Sequence, residues 1–208
     1  MAAGHPPEHL VALQTRVDQI ARDLFASPGW TSPAPVVRVD PRVAGGNRAL
    51  ASVHHGVGLI RISPVVADEP EEYLRGTLAH EAGHLALGHQ RAAHAGWVLA
   101  IGIPLWALAI ACCVIGVRDS TTEQTSLWFG LAFIPALLAL RLIVIPSRRN
   151  ELAADQWSTN LIGVEAVLST IQHLRAAQSP LGRLAAGIGM DTHPSPRQRA
   201  RHVQQSHL

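Results

Sequence analysis

The sequence predicts an α+β protein, in which a mostly helical domain with a small β-sheet is interrupted by a two-helix transmembrane hairpin. Three observations lead to this prediction. A His-Glu-x-x-His pattern lies inside a helical stretch, short alternating segments typical of strands precede it, and two long apolar runs follow it. The predicted boundaries are 1–94 for the first half of the domain, 95–146 for the hairpin and 147–208 for the second half.

The segment before the motif is predicted to form a packing helix followed by three short strands. Apolar residues recur at helical spacing between Leu10 and Phe25, which predicts a helix with one buried face. Alternating apolar and polar residues bounded by turn-forming residues favour strands in three places, at 36–39, 49–53 and 57–63.

The most informative stretch is the His80-Glu81-x-x-His84 pattern. Residues four apart lie on one face of a helix, so the two imidazoles can bind one metal ion, and the glutamate is placed to act on a water at that ion. With 12 histidines in the chain, a chance match is the alternative. The small and apolar flanking residues favour an active-site helix, and Gly83 would let another element approach closely. His89 lies beyond the motif and is not expected to be a ligand.

Two apolar runs after the motif predict membrane-spanning helices. Residues 95–117 contain no charged side chain, and about 23 helical residues reach roughly 34 Å, enough for a hydrocarbon core of about 30 Å. The second run extends from Leu127 to Ile145, with Arg141 near its far end. Burial in a soluble core is the alternative, but a chain of 208 residues offers too little else to cover two such helices.

The arginines predict a multi-pass cell-membrane protein whose two polar halves face the cytoplasm. Arg91 precedes the hairpin and Arg148 and Arg149 follow it, whereas Arg118 in the connecting loop is offset by acidic neighbours. Because positive residues concentrate on the cytoplasmic side, both halves are expected there and can assemble into one domain. A cleaved signal peptide is not expected, since no basic region followed by an apolar segment begins the chain.

Charge and cysteine content exclude other classes. The formal net charge is +2 and the basic residues are scattered without interleaved aromatics, so no nucleic-acid partner is expected. Cys112 and Cys113 are adjacent in an apolar run and form no disulfide framework. The expected partners are a peptide or protein substrate and the lipid bilayer, while the oligomeric state stays open.

The second half of the chain offers a third metal ligand. Catalytic zinc usually has three protein ligands and one open position. Glu151 and Asp155 are four residues apart and therefore share a helix face. Glu151 would complete the metal site and Asp155 would orient a ligand histidine through its other ring nitrogen. Solvated carboxylates on a helix surface are the alternative, because the pair alone is a weak pattern.

In this order the motifs resemble the M48 family of membrane zinc metallopeptidases, the HtpX/Ste24-like group. The zinc helix, the hairpin and Glu151-x-x-Ala154-Asp155 carry the resemblance. Two softer matches support it, the strand segment from Asn47 to Ser63 and Thr192-His193-Pro194 followed by Arg199. The resemblance covers roughly residues 10–205.

The resemblance implies a zincin-like fold with a gluzincin site. One Zn²⁺ ion would be held by His80, His84 and Glu151, with Glu81 as the catalytic base. An edge strand would align the extended substrate, and this strand is assigned to Leu59, Ile60, Arg61 and Ile62. Three residues that do not bind the ion are expected to support the ligands or the transition state, namely Asp155, His193 and Arg199. His193 would either bond the developing oxyanion or tie down the C-terminal segment.

The implied function is a membrane-anchored zinc endopeptidase that hydrolyses peptide bonds of cytoplasm-accessible or membrane proteins, with protein quality control as its role. A catalytically silent membrane sensor or adaptor, which uses the zinc fold to bind a partner, is the alternative. The intact glutamate Glu81 favours the enzyme, because a protein without catalysis has no need of it.

Overall fold

The computed structural model describes residues 7–43, 49–54, 57–89, 93–118, 122–177 and 193–206, so Asn47, Arg91 and Thr192 lie outside the described residues. Within these ranges the chain forms seven helices and three strands. The helices are α1 (Pro7–Phe25), α2 (Pro64–Asp68), α3 (Glu71–Ala86), α4 (Ala93–Arg118), α5 (Thr122–Ile162), α6 (Val164–Ala177) and α7 (Pro196–Gln205). The strands are β1 (Val36–Val39), β2 (Ala49–His54) and β3 (Val57–Ile62). The predicted α+β class, mostly helical with a small sheet, is confirmed.

The three strands form one sheet in the order β1-β3-β2. β3 runs parallel to β1 and antiparallel to β2, so that Ile60 is the register partner of both Val37 and Ala51. Ile60 and Ile62 are fully buried in the main hydrophobic core. The alternation along β3 therefore reflects one face of the sheet packed on that core.

The central position of β3 corrects the prediction of a substrate-binding edge strand. Leu59, Ile60, Arg61 and Ile62 were expected to offer free backbone groups to a peptide. In the structure β1 pairs with one side of this strand and β2 with the other. A peptide cannot add to a strand whose two edges are already paired. Alternation predicts which face of a strand is buried, but it does not reveal the order of strands in the sheet.

The first helix covers the core beside the sheet. The predicted apolar face of α1 is buried, with Val17 and Leu24 completely inaccessible to solvent. Arg16 donates hydrogen bonds to the carbonyl oxygens of Ala67 and Glu69, each at 2.7 Å. These bonds attach α1 to the segment that leads into α3, and so they help to position the helix that carries His80 and His84.

A short capped helix precedes helix α3. The short helix α2 comes first, and its N-terminus is capped by Ser63, whose Oγ accepts a hydrogen bond from the backbone N–H of Val66 at 3.3 Å. Pro70 precedes the first residue of α3, and no side chain caps this helix.

Helices α4 and α5 pack along one another. α5 is a continuous helix of 41 residues, about 60 Å long at 1.5 Å per residue. It passes without interruption through the expected boundary between residues 146 and 147, so one helix carries both apolar residues of the hairpin and the acidic motif. Judged on the described residues, none of the helices combines the length and hydropathy needed to cross a membrane. The transmembrane hairpin stays a prediction.

Candidate metal centre

Helix α3 places His80 and His84 side by side, as their spacing predicts. Their ring centroids are 4.8 Å apart and the two Nε2 atoms are 3.2 Å apart. Both side chains are largely shielded from solvent, with 14% of each exposed. The two Nε2 atoms therefore face one point and can donate lone pairs to the same cation.

Helix α5 brings Glu151 to the same point. Its Oε2 lies 3.4 Å from Nε2 of His80 and its Oε1 lies 3.3 Å from Nε2 of His84. The Glu151 side chain is buried, and a buried carboxylate requires a compensating charge or donor. The residue predicted as third ligand thus meets the two histidines, although the whole hairpin separates them in sequence.

A glycine permits this approach of the two helices. A Cβ on Gly83 would lie only 2.8 Å from the carbonyl oxygen of Ala154, one turn of α5 beyond Glu151. Real Cβ atoms do not approach a backbone oxygen so closely, so any larger residue would push α5 away from α3. The expectation that Gly83 admits a neighbouring element is confirmed.

The geometry of the three side chains fits a tetrahedral metal ion. One ligand atom from each of His80, His84 and Glu151 lies within 4.8 Å of the other two. In a tetrahedral site with bonds of about 2.1 Å, neighbouring ligand atoms are roughly 3.4 Å apart. The two Nε2 atoms are 3.2 Å apart, and each lies 3.3 to 3.4 Å from one of the two Glu151 carboxylate oxygens, which is close to that value. Two imidazoles and one carboxylate are also a donor set that catalytic zinc uses.

Asp155 and Arg199 fix the orientation of the His80 ring. Nδ1 of His80 is 2.8 Å from Oδ1 of Asp155, which leaves Nε2 directed at the metal position. Arg199 on α7 donates from Nε to Oδ2 of the same carboxylate at 2.6 Å and from Nη2 to Oδ1 at 2.5 Å. Both Asp155 and Arg199 are buried. Asp155 and Arg199 were both expected to support the site. In the structure they form a bidentate pair, and Asp155 contacts His80 directly.

The charges of this network shift several pKa values. Burial and the charge of Arg199 lower the pKa of His80, but its contacts with Asp155 and Glu151 outweigh them and raise it to about 9. Burial raises the pKa of Asp155, whereas the charge and hydrogen bonds of Arg199 prevail and lower it to about 2. Burial likewise opposes ionisation of Glu151, but hydrogen bonds from the two histidines hold its pKa far below the usual range. Without a metal, the site thus holds a charged imidazole among ionised carboxylates.

His89 contacts the other ligand histidine, and the sequence analysis missed this contact. Its Nδ1 lies 3.0 Å from Nδ1 of His84, and the ring centroids are 5.2 Å apart. Gly88 adopts a positive φ of 66°, and the backbone N–H of His89 bonds the carbonyl oxygen of His84 at 3.1 Å. The chain thus turns back directly after α3. A glycine just beyond a helix is the signal that could have predicted this turn.

A cavity of about 260 Å³ opens beside His84 and Glu151. Glu81 and His193 line it together with Ala49 and Ala51 of β2. Nε2 of His193 lies 3.7 Å from Oε1 of Glu151, while 61% of the His193 side chain is exposed. The predicted catalytic base, the late histidine and one edge of the sheet therefore share a single space with these two ligands.

The sequence of the chain matches that of a known protein family. The profile of peptidase family M48 matches residues 57–207, a stretch that includes the zinc helix, α5 and the late histidine and arginine. The chain belongs to peptidase family M48. The resemblance that the motifs predicted is confirmed. Peptidases of family M48 depend on a metal ion, and the group formed by His80, His84 and Glu151 could bind one.

Curated M48 relatives of similar sequence bear the name Protease HtpX. The protein from Pseudomonas putida strain F1 is 30% identical over 174 residues, which cover 80% of this chain and 56% of the relative. The protein from Pseudomonas entomophila strain L48 has the same identity and coverage, and that from Pseudomonas savastanoi pv. phaseolicola is 29% identical over 178 residues. The chain therefore spans about half the length of the curated relatives it matches.

Proposed function

We propose that this M48 chain is a zinc-dependent endopeptidase. The observation that carries the proposal is the convergence of His80, His84 and Glu151 to separations of 3.2 to 3.4 Å. Glu81 lines the cavity that opens beside His84 and Glu151, where a general base is required. The names of the relatives support the same reaction class.

The chain's own residues would divide the work of peptide hydrolysis as follows. His80, His84 and Glu151 would hold a zinc ion, which would supply Lewis-acid chemistry for the attacking water and the scissile carbonyl. Glu81 accepts a proton from the attacking water and passes it to the nitrogen of the departing amine, so that one C–N bond is exchanged for one C–O bond. Asp155 holds the ring of His80 in place during these steps. His193, at the rim of the cavity, is placed to donate a hydrogen bond to the oxygen that becomes negatively charged.

We assign substrate alignment to β2 instead of β3. Among the described strands β2 pairs only with β3 and forms one edge of the sheet. Its residues Ala49 and Ala51 line the cavity beside Glu81. An extended peptide that adds to this edge would pass the catalytic base, and two alanines leave room for its side chains.

Membrane anchoring is supported by the exposed surface of α4 and α5. Large apolar side chains are solvent-exposed along both helices, among them Ile103, Trp106, Leu108, Ile110, Val114, Ile134, Leu137 and Leu138. Exposed apolar surface of this extent is typical of a protein or lipid contact. We propose that these side chains contact the bilayer, with the metal centre on its cytoplasmic side.

The continuity of α5 connects this surface to the choice of substrate. Glu151 lies six residues beyond the exposed Ile145 on the same helix, a rise of about 9 Å. Bonds close to a membrane surface would therefore be within reach. We propose cytoplasm-accessible or membrane proteins as substrates, and protein quality control as the role.

Hydrolysis of an unstructured test protein by the purified full chain with zinc tests this function. We expect cleavage by the wild type, none by Glu81→Gln, and equal zinc content in both. Glu72→Gln, an exposed acid on the same helix, is the matched control and should cleave normally. Cleavage by Glu81→Gln would contradict the mechanism. A wild type that binds zinc without cleaving would favour the catalytically silent sensor or adaptor.

A further inference from the structure

A second cavity, of about 300 Å³, lies between α5 and α7, away from the metal ligands. Its lining includes Arg148, Gln198, Arg201, His202 and Gln205. This volume is at the lower end of the range for small-molecule pockets, roughly 300 to 1,000 Å³. The cavity therefore suits a small polar group and not a large apolar ligand.

The residues that line this cavity lie on different faces of α5 and α7 from the residues that build the metal centre. The four residues from α7 follow i, i+3, i+4, i+7 spacing and so share one side of that helix. Arg199 and Val203, on the other side of α7, are buried. On α5, Arg148 and Leu152 line the cavity, whereas Glu151 and Asp155 point to the metal centre.

The chemistry of the lining selects an anion. Two arginines, a histidine and two glutamines offer hydrogen-bond donors, and no carboxylate is found among the described residues that line the cavity. Guanidinium groups bind phosphate oxygens through two parallel N–H donors. We propose that this cavity binds a phosphate-type anion, either the headgroup of an anionic phospholipid or inorganic phosphate.

The position of the cavity makes a lipid headgroup the first source to test. Arg148 follows the exposed Ile145 by three residues on α5, a rise of about 4.5 Å. If the apolar surface of the hairpin contacts lipid, as proposed above, the cavity lies at the depth of the headgroups. A bound anion would join α5 to α7, and α7 carries Arg199, which holds Asp155 against His80. Anion binding would thus favour the assembled metal centre.

Binding of inorganic phosphate to the full chain in neutral detergent tests the site without a bilayer. Calorimetric titration at constant ionic strength should show that Arg148→Gln and Arg201→Gln each weaken binding about 10-fold, a typical effect for a charged hydrogen-bonding group. Arg149→Gln is the matched control, because it removes the same charge from the next residue of α5, which is exposed and does not line the cavity. It should weaken binding less than about twofold.

Equal losses of phosphate affinity in all three variants would mean that diffuse surface charge attracts the anion, and this would overturn the proposal. The absence of phosphate binding by the wild type would overturn it as well. Unchanged circular dichroism and zinc content are required of each variant, and Arg201→Lys should bind phosphate with intermediate affinity because it keeps the charge without the planar donors.

A second measurement identifies the source of the anion. Nanodiscs of phosphatidylcholine with and without phosphatidylglycerol are compared for their effect on phosphate binding. Displacement of phosphate only by phosphatidylglycerol identifies a lipid headgroup, whereas phosphate binding unaffected by either lipid identifies the soluble anion. Both outcomes support the anion site. Neither measurement depends on peptide hydrolysis, so a failure of the site is distinguishable from a failure of the proposed enzyme.

Discussion

Nδ1 of His80 lies 2.8 Å from Oδ1 of Asp155, although the two residues are 75 positions apart in the chain. This contact leaves Nε2 of His80 for a metal ion and sets the direction of its lone pair. Arg199 binds both oxygens of the same carboxylate. Helices α3, α5 and α7 are therefore joined at His80, and we expect metal binding to depend on all three.

Replacing Asp155 by asparagine should weaken zinc binding by about 10- to 100-fold, the usual cost of losing such a partner of a ligand. The neutral amide cannot form an ion pair with Arg199, and it holds the ring of His80 less firmly. Competition with a chromogenic chelator measures the affinity. Asp18→Asn, an exposed acid on α1, should bind zinc as the wild type does. Wild-type affinity in Asp155→Asn would show that the contact is incidental.

We expect His89 to orient the ring of His84, as Asp155 orients the ring of His80. His89→Ala removes the group that lies 3.0 Å from Nδ1 of His84, and we expect about 10-fold weaker zinc binding because the ligand ring becomes free to rotate. His89→Asn places an oxygen where Nδ1 stands and should restore most of the affinity. If the asparagine variant binds zinc as weakly as the alanine variant, while both keep wild-type helix content, the positioning role is wrong.

The close approach at Gly83 predicts a steric effect. In Gly83→Ala the new methyl group would collide with the carbonyl oxygen of Ala154, so α5 must move away and carry Glu151 with it. We expect a loss of about 1–3 kcal/mol in the free energy of unfolding together with weaker zinc binding. Denaturant titration and chelator competition measure the two effects. Leu87→Ala, which changes an exposed residue after the same helix, should leave both nearly unchanged.

The raised pKa of His80 predicts how the stability of the metal-free protein depends on pH. The folded pKa of about 9 exceeds the ordinary histidine value of 6.5, so protonation of His80 stabilises the fold fully below pH 6.5. This contribution, on the order of 1–3 kcal/mol, is lost as the pH rises from 6.5 to about 9.

Urea titrations of chelator-treated protein across that range measure this change, with His80→Gln as the control that should respond less to pH. With zinc bound the decline should disappear, because a ligand imidazole is already neutral. A free energy of unfolding that rises between pH 6.5 and 9 in the metal-free wild type would contradict the assigned charge state.

The helical spacing of the sequence was enough to predict that the His80 and His84 side chains lie side by side. Spacing of four residues defines one face of a helix wherever the helix lies, so His80 and His84 could be paired without coordinates. The spacing of Glu151 and Asp155 was only a weak pattern for a third ligand, and the resemblance to a family strengthened it, because the sequence alone gives no distance between helices.

Other features could not be predicted because they depend on tertiary packing. The order of the strands is decided by pairing between distant segments, which left β3 mistaken for an edge strand. The continuity of α5 was missed because a change from apolar to polar residues suggested a boundary at residue 146. The hydrogen bonds of a helix join backbone groups, so a change in side-chain polarity does not end the helix. The role of His89 depends on a turn at Gly88 that returns the chain to its own helix.

The zinc content of the purified wild type beside Glu151→Ala tests the central claim most directly. If residues of α3 and α5 jointly bind one ion, the wild type should retain about one equivalent after dialysis, and Glu151→Ala should lose most of it while Glu72→Ala retains it. Equal zinc content in the wild type and in Glu151→Ala would show that the carboxylate of α5 is not a ligand, and would contradict the metal centre described above.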